Sequence, residues 1–389
     1  MNFAPFYRDT WVEVNLDAIY NNIIRIKKLI PENVEFIAVI KGNAYGHGAI
    51  QVSKVALEAG ATRLAVALLD EALLLRRAGI GVPILVMSPT RPEDVNIAAE
   101  NEISLTIFQK EWVERAKKIW MSSVPLYFHL KFDSGMGRIG IRKKGELWEV
   151  LQSFKSAPYF KMEGVYMHFA TADEFQTDYF YKQYYTFVEQ LSWMKGFGVE
   201  PNFIHAANSA ATLHFRGIAL DAVRIGIAMY GLSPSVQMEP FLPVKLEPAL
   251  SFHTKIAHVK LVEKGAAISY DITYRAPEVE WIATVPVGYA DGWFRGMEGF
   301  TVLVEGIRVP IVGRITMDQL MIRLPYKMPI GTRVTFIGEQ KDSCISASEV
   351  ASHMNTIHYE VVAGIHFRVP RLYVRGEKVV EVENYMSEL

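Results

Sequence analysis

Over roughly the first 230 residues, short apolar runs alternate with stretches whose apolar residues recur every three or four positions. The runs Val34–Ile40, Arg63–Leu68, Pro83–Met87, Ile103–Ile107, Leu126–Phe132, Gly164–Phe169, Phe203–Ala206 and Ala222–Gly226 predict eight strands. Between most of them the spacing predicts helices, such as Gln51–Ala59, Asp70–Ala78, Lys110–Ile119 and Thr177–Gly196. Strands that are apolar on both faces and alternate with amphipathic helices belong to a parallel sheet covered by helices. Eight repeats favour a closed barrel over an open doubly wound sheet. The first helix fits, with Asp17 as its cap and Ile19, Ile23, Ile26 and Ile30 on one face. Thr10–Leu16 alternates as a half-buried strand and is one more than the barrel needs, so it is expected to pair within a second domain.

After Pro243 the pattern changes to short alternating runs. Leu250–Val262, Ala266–Tyr274, Trp281–Gly288, Thr301–Ile315, Leu320–Leu324, Arg333–Ile337 and Val361–Val382 are predicted as strands, with turns at Glu305-Gly306 and Arg375-Gly376. Only Ser346–Met354 reads as helix there, capped by Ser346 or Ser348. The fold class is therefore α/β. An N-terminal (β/α)8 TIM-type barrel is expected over residues 1–243 and a mostly-β domain over 244–389, with residues 1–16 packing as a strand on the latter.

Composition narrows the picture. The chain has 389 residues, half of them hydrophobic, enough for two packed domains and incompatible with a disordered protein. A formal net charge of -1 gives no global electrostatic case for nucleic acid or an anionic membrane as partner. The single cysteine, Cys344, rules out an intrachain disulfide and a multi-cysteine metal site. The first residues lack an apolar signal-like core, and no run approaches the roughly 18 apolar residues of a membrane helix, so a cytoplasmic location is expected.

Chemistry in such barrels sits at the C-terminal ends of the strands. The first strand runs into Lys41, followed by Gly42-Asn-Ala-Tyr45-Gly-His-Gly48. Lys41 is either a surface lysine at a loop start or a desolvated amine suited to Schiff-base chemistry, and this feature alone leaves the two level. The loop glycines would let the backbone and Tyr45 approach a ligand. The fifth strand leads into Gly135-Met-Gly-Arg138-Ile-Gly140, a literal GxGxxG. It lies mid-barrel without opening a helix, so a dinucleotide fingerprint is a poor reading. Lys131, Asp133 and Arg138 cluster there, either as a structural ion-pair network or with Arg138 as a bidentate anion ligand. His168 and His205, near the ends of the next two strands, lack the carboxylates a metal site would need; no metal is expected. Ser209 and Gly226 follow the seventh and eighth strands, where these barrels commonly bind phosphate. A barrel-mouth lysine together with such a phosphate site points toward pyridoxal 5'-phosphate (PLP).

Lys41-Gly-Asn-Ala-Tyr45-Gly-His-Gly, Asp133-Ser-Gly-Met-Gly-Arg138, Ala207-Asn208-Ser209, Arg224-Ile-Gly226, Ser269-Tyr270, Gly288-Tyr289-Ala-Asp-Gly, Gly313-Arg-Ile-Thr-Met317-Asp318 and Tyr359-Glu together resemble the PLP-dependent alanine racemases, in the same order over nearly the whole chain. The resemblance implies a PLP-binding barrel, a β-rich second domain, and a homodimer with its sites at the subunit interface. It implies that Lys41 carries PLP and is one catalytic base, and that Tyr270 is the opposite-face base from the partner subunit. Racemisation requires bases on both faces of a planar carbon, which a Lys/Tyr pair supplies. Arg224 would bond the pyridine nitrogen and, holding its own proton, would mute the ring as an electron sink. Tyr45, Asn208, Ser209, Gly226, Ile227 and Tyr359 would bind the cofactor, with His168 and His205 supporting Arg224. Arg138 and the Met317 N–H would hold the substrate carboxylate, while Tyr289 and Asp318 would lie at the entrance. Lys131 sits where many members carry a carbamylated lysine (N6-carboxylysine). Asp271, beside Tyr270, departs from the small residue or asparagine usual there and is expected to alter pH dependence modestly.

The implied reaction is interconversion of L- and D-alanine, supplying D-alanine for peptidoglycan. The alternatives are racemisation of another small amino acid such as serine, and decarboxylation of a basic amino acid on the same fold. The decarboxylases would use a second-domain cysteine, whereas Cys344 lies in a polar segment outside the motifs.

Overall fold

A computed structural model of the chain describes residues 6–215 and 217–387. Two compact units emerge. One comprises Ile19–Ala44 and Ala49–Glu247; the other comprises the chain up to Ala18, Tyr45–Gly48, and Pro248 onward.

The first strand, β1 (Thr10–Asn15), belongs to the second of these units. Eight strands then form the other: β2 (Glu35–Val39), β3 (Arg63–Val66), β4 (Ile84–Val86), β5 (Ile103–Ile107), β6 (Leu126–Lys131), β7 (Phe160–Tyr166), β8 (Ile204–His205) and β9 (Ala222–Ile225). They close into a barrel in sequence order, β9 pairing in parallel with β2. This is the predicted (β/α)8 architecture. Every residue of β5 is buried, as expected of a parallel strand covered on both faces. The covering helices are one-sided: Lys110–Ile119 buries Val113 and Ala116 and turns its charged residues outward. In the first helix, Leu16–Lys27, Ile19, Ile23 and Ile26 are fully buried, each contributing about 1.5–3 kcal/mol. Its cap is Asn15, whose Oδ1 accepts from the Ala18 N–H at 3.0 Å, and not Asp17. The helix starts two residues earlier than a cap at Asp17 would place it, and Asp17 Oδ2 instead accepts from the Gly376 N–H at 2.6 Å.

The β unit contains β10 (Leu250–Lys255), β11 (His258–Val262), β12 (Ala267–Ile268), β13 (Tyr274–Arg275), β14 (Glu280–Val285), β15 (Thr301–Val304), β16 (Ile307–Val312), β17 (Leu320–Leu324), β18 (Arg333–Gln340), β19 (Ser343–Ile345), β20 (Arg371–Arg375) and β21 (Lys378–Glu383). The main sheet runs β11-β14-β17-β16-β15-β18-β10-β1-β20-β21, with β19 on β18 and β12-β13 as a separate pair. β1 lies between β10 and β20, with Val12 opposite Phe252 and Arg371, so the surplus strand pairs where it was expected to.

Three expectations for this unit fail. Leu250–Val262 is two strands, because Ile256 N–H bonds Thr332 O while Ala257 N–H bonds Thr284 O, switching the chain between partners. Ala266–Tyr274 is interrupted by a tight turn over Tyr270–Ile272. Val361–Val382 begins as a helix, His358–Ala363, whose apolar Val361 and Val362 are buried on one face. The helix predicted over Ser346–Met354 is present as Ala347–His353, and Ser346 Oγ accepts from the Glu349 N–H at 3.0 Å.

Candidate active site

At the barrel mouth, Lys41 is separated from the end of β2 by one residue, and Gly42, Asn43, Ala44 and Tyr45 all take positive φ (62°, 51°, 54° and 53°). Left-handed L-residues cost about 1–2 kcal/mol each, so the turn must be held by other contacts. Glu71 supplies one: its Oε1 accepts from Gly42 N–H at 2.6 Å and its Oε2 from Ala67 and Leu68 N–H. Asn43 Oδ1 supplies another, to Ala49 N–H at 2.7 Å. The Lys41 amine is pulled below its ordinary pKa by burial and by the nearby Arg138 and Arg224 charges, with Glu71 opposing.

Arg224, on β9, is buried inside the barrel. Its Nη1 donates to His205 Nδ1 at 2.8 Å; its Nη2 donates to Met167 O at 2.8 Å, Ala206 O at 2.9 Å and, more loosely, His168 Nδ1 at 3.4 Å. Among the described residues Nε has no acceptor. Burial lowers the Arg224 pKa to about 10, which still leaves it charged at neutral pH. Burial, and next the Arg224 charge, push both His168 and His205 well below the usual imidazole value, so both are neutral acceptors.

Lys131 ends β6, its Nζ donating to Phe132 O at 2.7 Å. Burial and Arg224 bring its pKa down to about 7. The Tyr166 ring is a shared platform, with Lys131 Nζ 5.0 Å and the Arg224 guanidinium carbon 5.2 Å from its centroid. The His205 ring stacks on it at 4.8 Å. Asp133 does not pair with Arg138. Its Oδ1 accepts from Gly135 and Gly137 N–H, each at 3.0 Å, folding the glycine loop, while Arg142 lies 3.7 Å from Oδ2. Arg138 is exposed and forms no ion pair among the described residues.

After β8 and β9, Gly226 N–H donates to Ser209 Oγ at 3.0 Å, bringing the two loops together, and Ile227 is buried in the turn that follows. Asn208 uses its Oδ1 to cap the helix Ser209–His214 through Ala211 N–H at 2.9 Å. The barrel thus gathers Lys41, Lys131, Arg138, His168, His205 and Arg224 with Ser209 and Gly226. The cations outnumber the nearby carboxylates.

The β unit holds the remaining candidates in separate clusters. Tyr45 and Tyr359 face each other with ring centroids 6.1 Å apart. The two glycines flanking His47 serve packing more directly than ligand approach: a Cβ on Gly48 would lie 1.7 Å from the Tyr373 hydroxyl and one on Gly46 2.2 Å from Val362 O. Tyr270 is 70% exposed on a turn whose Ser269, Asp271 and Ile272 have φ of 65°, 60° and 50°. Asp271 lies 3.4 Å from Arg314 Nε, which offsets its charge. Tyr289 N–H and Ala290 N–H donate to Thr316 O and Met317 O, tying their loop to that of Met317. Asp318 pairs with Arg368 at 2.7 Å, and Arg368 with the fully buried Asp291, which also binds Arg8 and caps Gly288 N–H.

Tyr166, Glu71 and Asp291 were not recognised as site residues from sequence. Glu71 had a legible signal, an acidic residue in the first turn of a predicted helix; Tyr166 had none beyond its place in a strand.

Two family models match the chain: alanine racemase, N-terminal domain, over residues 14–234, and alanine racemase, C-terminal domain, over residues 249–373. An alanine racemase of Geobacillus kaustophilus is 52% identical over 97% of this chain and 98% of its own length. Alanine racemase 1 of Bacillus subtilis is 46% identical over the full chain and 99% of its own. The solved structure of an alanine racemase from Bacillus anthracis with bound L-Ala-P superposes with a TM-score of 0.98 at 64% identity, covering 99% of this chain and all of that one. The two models fall in turn on the barrel and on the β sheet: the chain belongs to the alanine racemase family and is an isomerase.

Proposed function

We propose that the barrel mouth binds PLP through Lys41 and that the enzyme interconverts L- and D-alanine with Lys41 and Tyr270 as bases on opposite faces of the substrate carbon. The observation that carries this reading is the electropositive mouth, in which Lys41 has a depressed pKa beside an exposed Arg138 and a buried Arg224. The donor set suits a phosphorylated aldehyde. An amine readily made neutral can form a Schiff base, and the paired Ser209 hydroxyl and Gly226 backbone can meet a phosphate. When bound, PLP supplies an electron sink that acidifies the Cα proton of an amino acid. Arg224, held at Nη1 and Nη2, keeps Nε–H for the pyridine nitrogen. Arg138, exposed at the mouth, attracts the substrate carboxylate, and the Met317 N–H assists it. Asn208, Ile227, Tyr45 and Tyr359 complete the cofactor contacts, with Tyr289 and Asp318 at the entrance.

Lys41 Nζ takes or returns the proton on one face, and the Tyr270 hydroxyl does so on the other. Tyr270 comes from the partner subunit of a homodimer; its exposure on its own chain supports this. Substrate is L- or D-alanine, and the product serves peptidoglycan synthesis in the cytoplasm. The bound L-Ala-P of the Bacillus anthracis relative supports alanine over serine. Among the described residues no helix is long and apolar enough to cross a membrane.

The test is chiral product analysis of purified enzyme with L-alanine, L-serine and L-lysine, alongside its visible absorbance. D-alanine formation with a cofactor band that is lost in Lys41→Ala is expected. A colourless, inactive protein, or CO2 release from lysine, would overturn the assignment.

A further inference from the structure

The barrel interior contains a polar chain that the reaction does not use directly. From Arg224 it passes to His205 Nδ1 at 2.8 Å, from His205 Nε2 to His129 Nδ1 at 2.8 Å, and from His129 Nε2 to Glu163 Oε2 at 3.1 Å. His129 (β6) and His205 are buried, and Gly164 makes room for His129: a Cβ there would lie 3.0 Å from its ring. Glu163, on β7, also accepts from Ser104 Oγ at 2.7 Å and pairs with Arg63. Arg63 in turn binds Glu35 at 2.8 Å.

The two ends of this chain fix its direction. Arginine only donates, so His205 Nδ1 must present a lone pair and its proton must sit on Nε2. That proton points at His129 Nδ1, which must accept, leaving the His129 proton on Nε2, aimed at Glu163. A carboxylate only accepts, so the far end is satisfied in the same direction. A doubly protonated His129 is excluded: it would force the His205 proton onto Nδ1, against the Arg224 Nη1 donor 2.8 Å away.

We infer that Glu163 is a positioning residue for Arg224, setting the tautomers of His129 and His205 so that a lone pair always faces the guanidinium. Burial would raise the Glu163 pKa, but the hydrogen bonds from His129, Ser104 and Arg63 outweigh it and hold the carboxyl at about 2, so the acceptor end persists at working pH. The benefit to catalysis rests on the reading of Arg224 as the contact to the cofactor ring; the relay itself does not.

Glu163→Gln tests the relay with an isosteric side chain. Arg63 can only donate, so it draws the amide oxygen to itself and turns the NH2 toward His129, which reverses the demand along the chain. In 15N-histidine-labelled enzyme as purified, wild type is expected to show both His129 and His205 protonated on Nε2. Glu163→Gln is expected to lose that signature at His205, with a fall in kcat at unchanged cofactor content. Ser104→Ala, which removes a bond to the same carboxylate without altering the demand on His129, is expected to keep it. A His205 proton on Nδ1 in wild type, an unchanged pattern in Glu163→Gln, or equal changes in both variants would overturn the inference. The tautomers are read whether or not a cofactor band is present, so failure of the relay and failure of the cofactor assignment are distinguishable.

Discussion

Lys131 is a lysine enclosed by its own barrel, with Phe132 O as its hydrogen-bond acceptor and a tyrosine ring below it. Burial and Arg224 lower its pKa from 10.5 to about 7, so far more of the amine is unprotonated near neutral pH than for an ordinary lysine. Only a neutral amine adds to CO2, and the addition releases a proton and leaves a carbamate anion. That anion would replace a cation repelling Arg138 and Arg224 with a charge attracting both. At fixed dissolved 13CO2, a protein carbamate resonance is expected to grow as pH rises through about 7 and to be missing from Lys131→Met. A resonance that develops only near the ordinary lysine range would place the modification elsewhere. Lys41, Ser209 and Gly226 were legible as barrel-mouth residues because strand order puts them just past the C-terminal ends, whereas Arg224 was singled out by the family resemblance. His129, Glu163 and Tyr166 were not legible, because their roles depend on which way the strand pleat points and on side chains of other strands, 34 residues apart for His129 and Glu163 and 76 for His129 and His205.

Whole elements were legible where burial on both faces leaves a plain signature. All eight barrel strands were found, most within a residue or two, since each is an apolar run between amphipathic helices. The β unit was harder. The valines of His358–Ala363 look like the start of a strand, yet they bury one face of a short helix. The turn carrying Tyr270 contains three left-handed L-residues, for which local sequence offers no cue. In the Tyr45–Gly48 segment the glycines, read as letting the backbone approach a ligand, also have a packing role. Gly48 has φ +96° and abuts Tyr373, itself fully buried and bonded to Glu383. Gly48→Ala combines a left-handed penalty with overpacking and is expected to cost about 2–4 kcal/mol, read as a lower urea midpoint at unchanged m. Gly42→Ala, at φ +62° with nothing within 4 Å of the new Cβ, carries only the backbone cost and is expected to lose about 1–2 kcal/mol. Equal losses would show that the Tyr373 contact contributes nothing.

At the scale of the molecule, the two proposed bases belong to different compact units, Lys41 to the barrel and Tyr270 to the β unit. If each site takes its lysine from one subunit and its tyrosine from the partner, defects in the two bases must complement. Lys41→Ala and Tyr270→Phe homodimers each lack one base at both sites. In a mixed dimer, one site combines both defects, while the other joins an intact Lys41 to an intact Tyr270. Random exchange makes half the dimers mixed, each with one of two sites restored, so the mixture is expected to regain about a quarter of wild-type activity. If each site were built within one chain, both sites of the mixed dimer would stay defective and no activity would return. Tyr270→Phe removes one hydroxyl from an exposed ring and leaves the folded chain intact, so the readout is chemistry alone. The racemase rate of separately purified variants, measured before and after subunit exchange, therefore decides whether one chain or two are needed to complete the pair of bases.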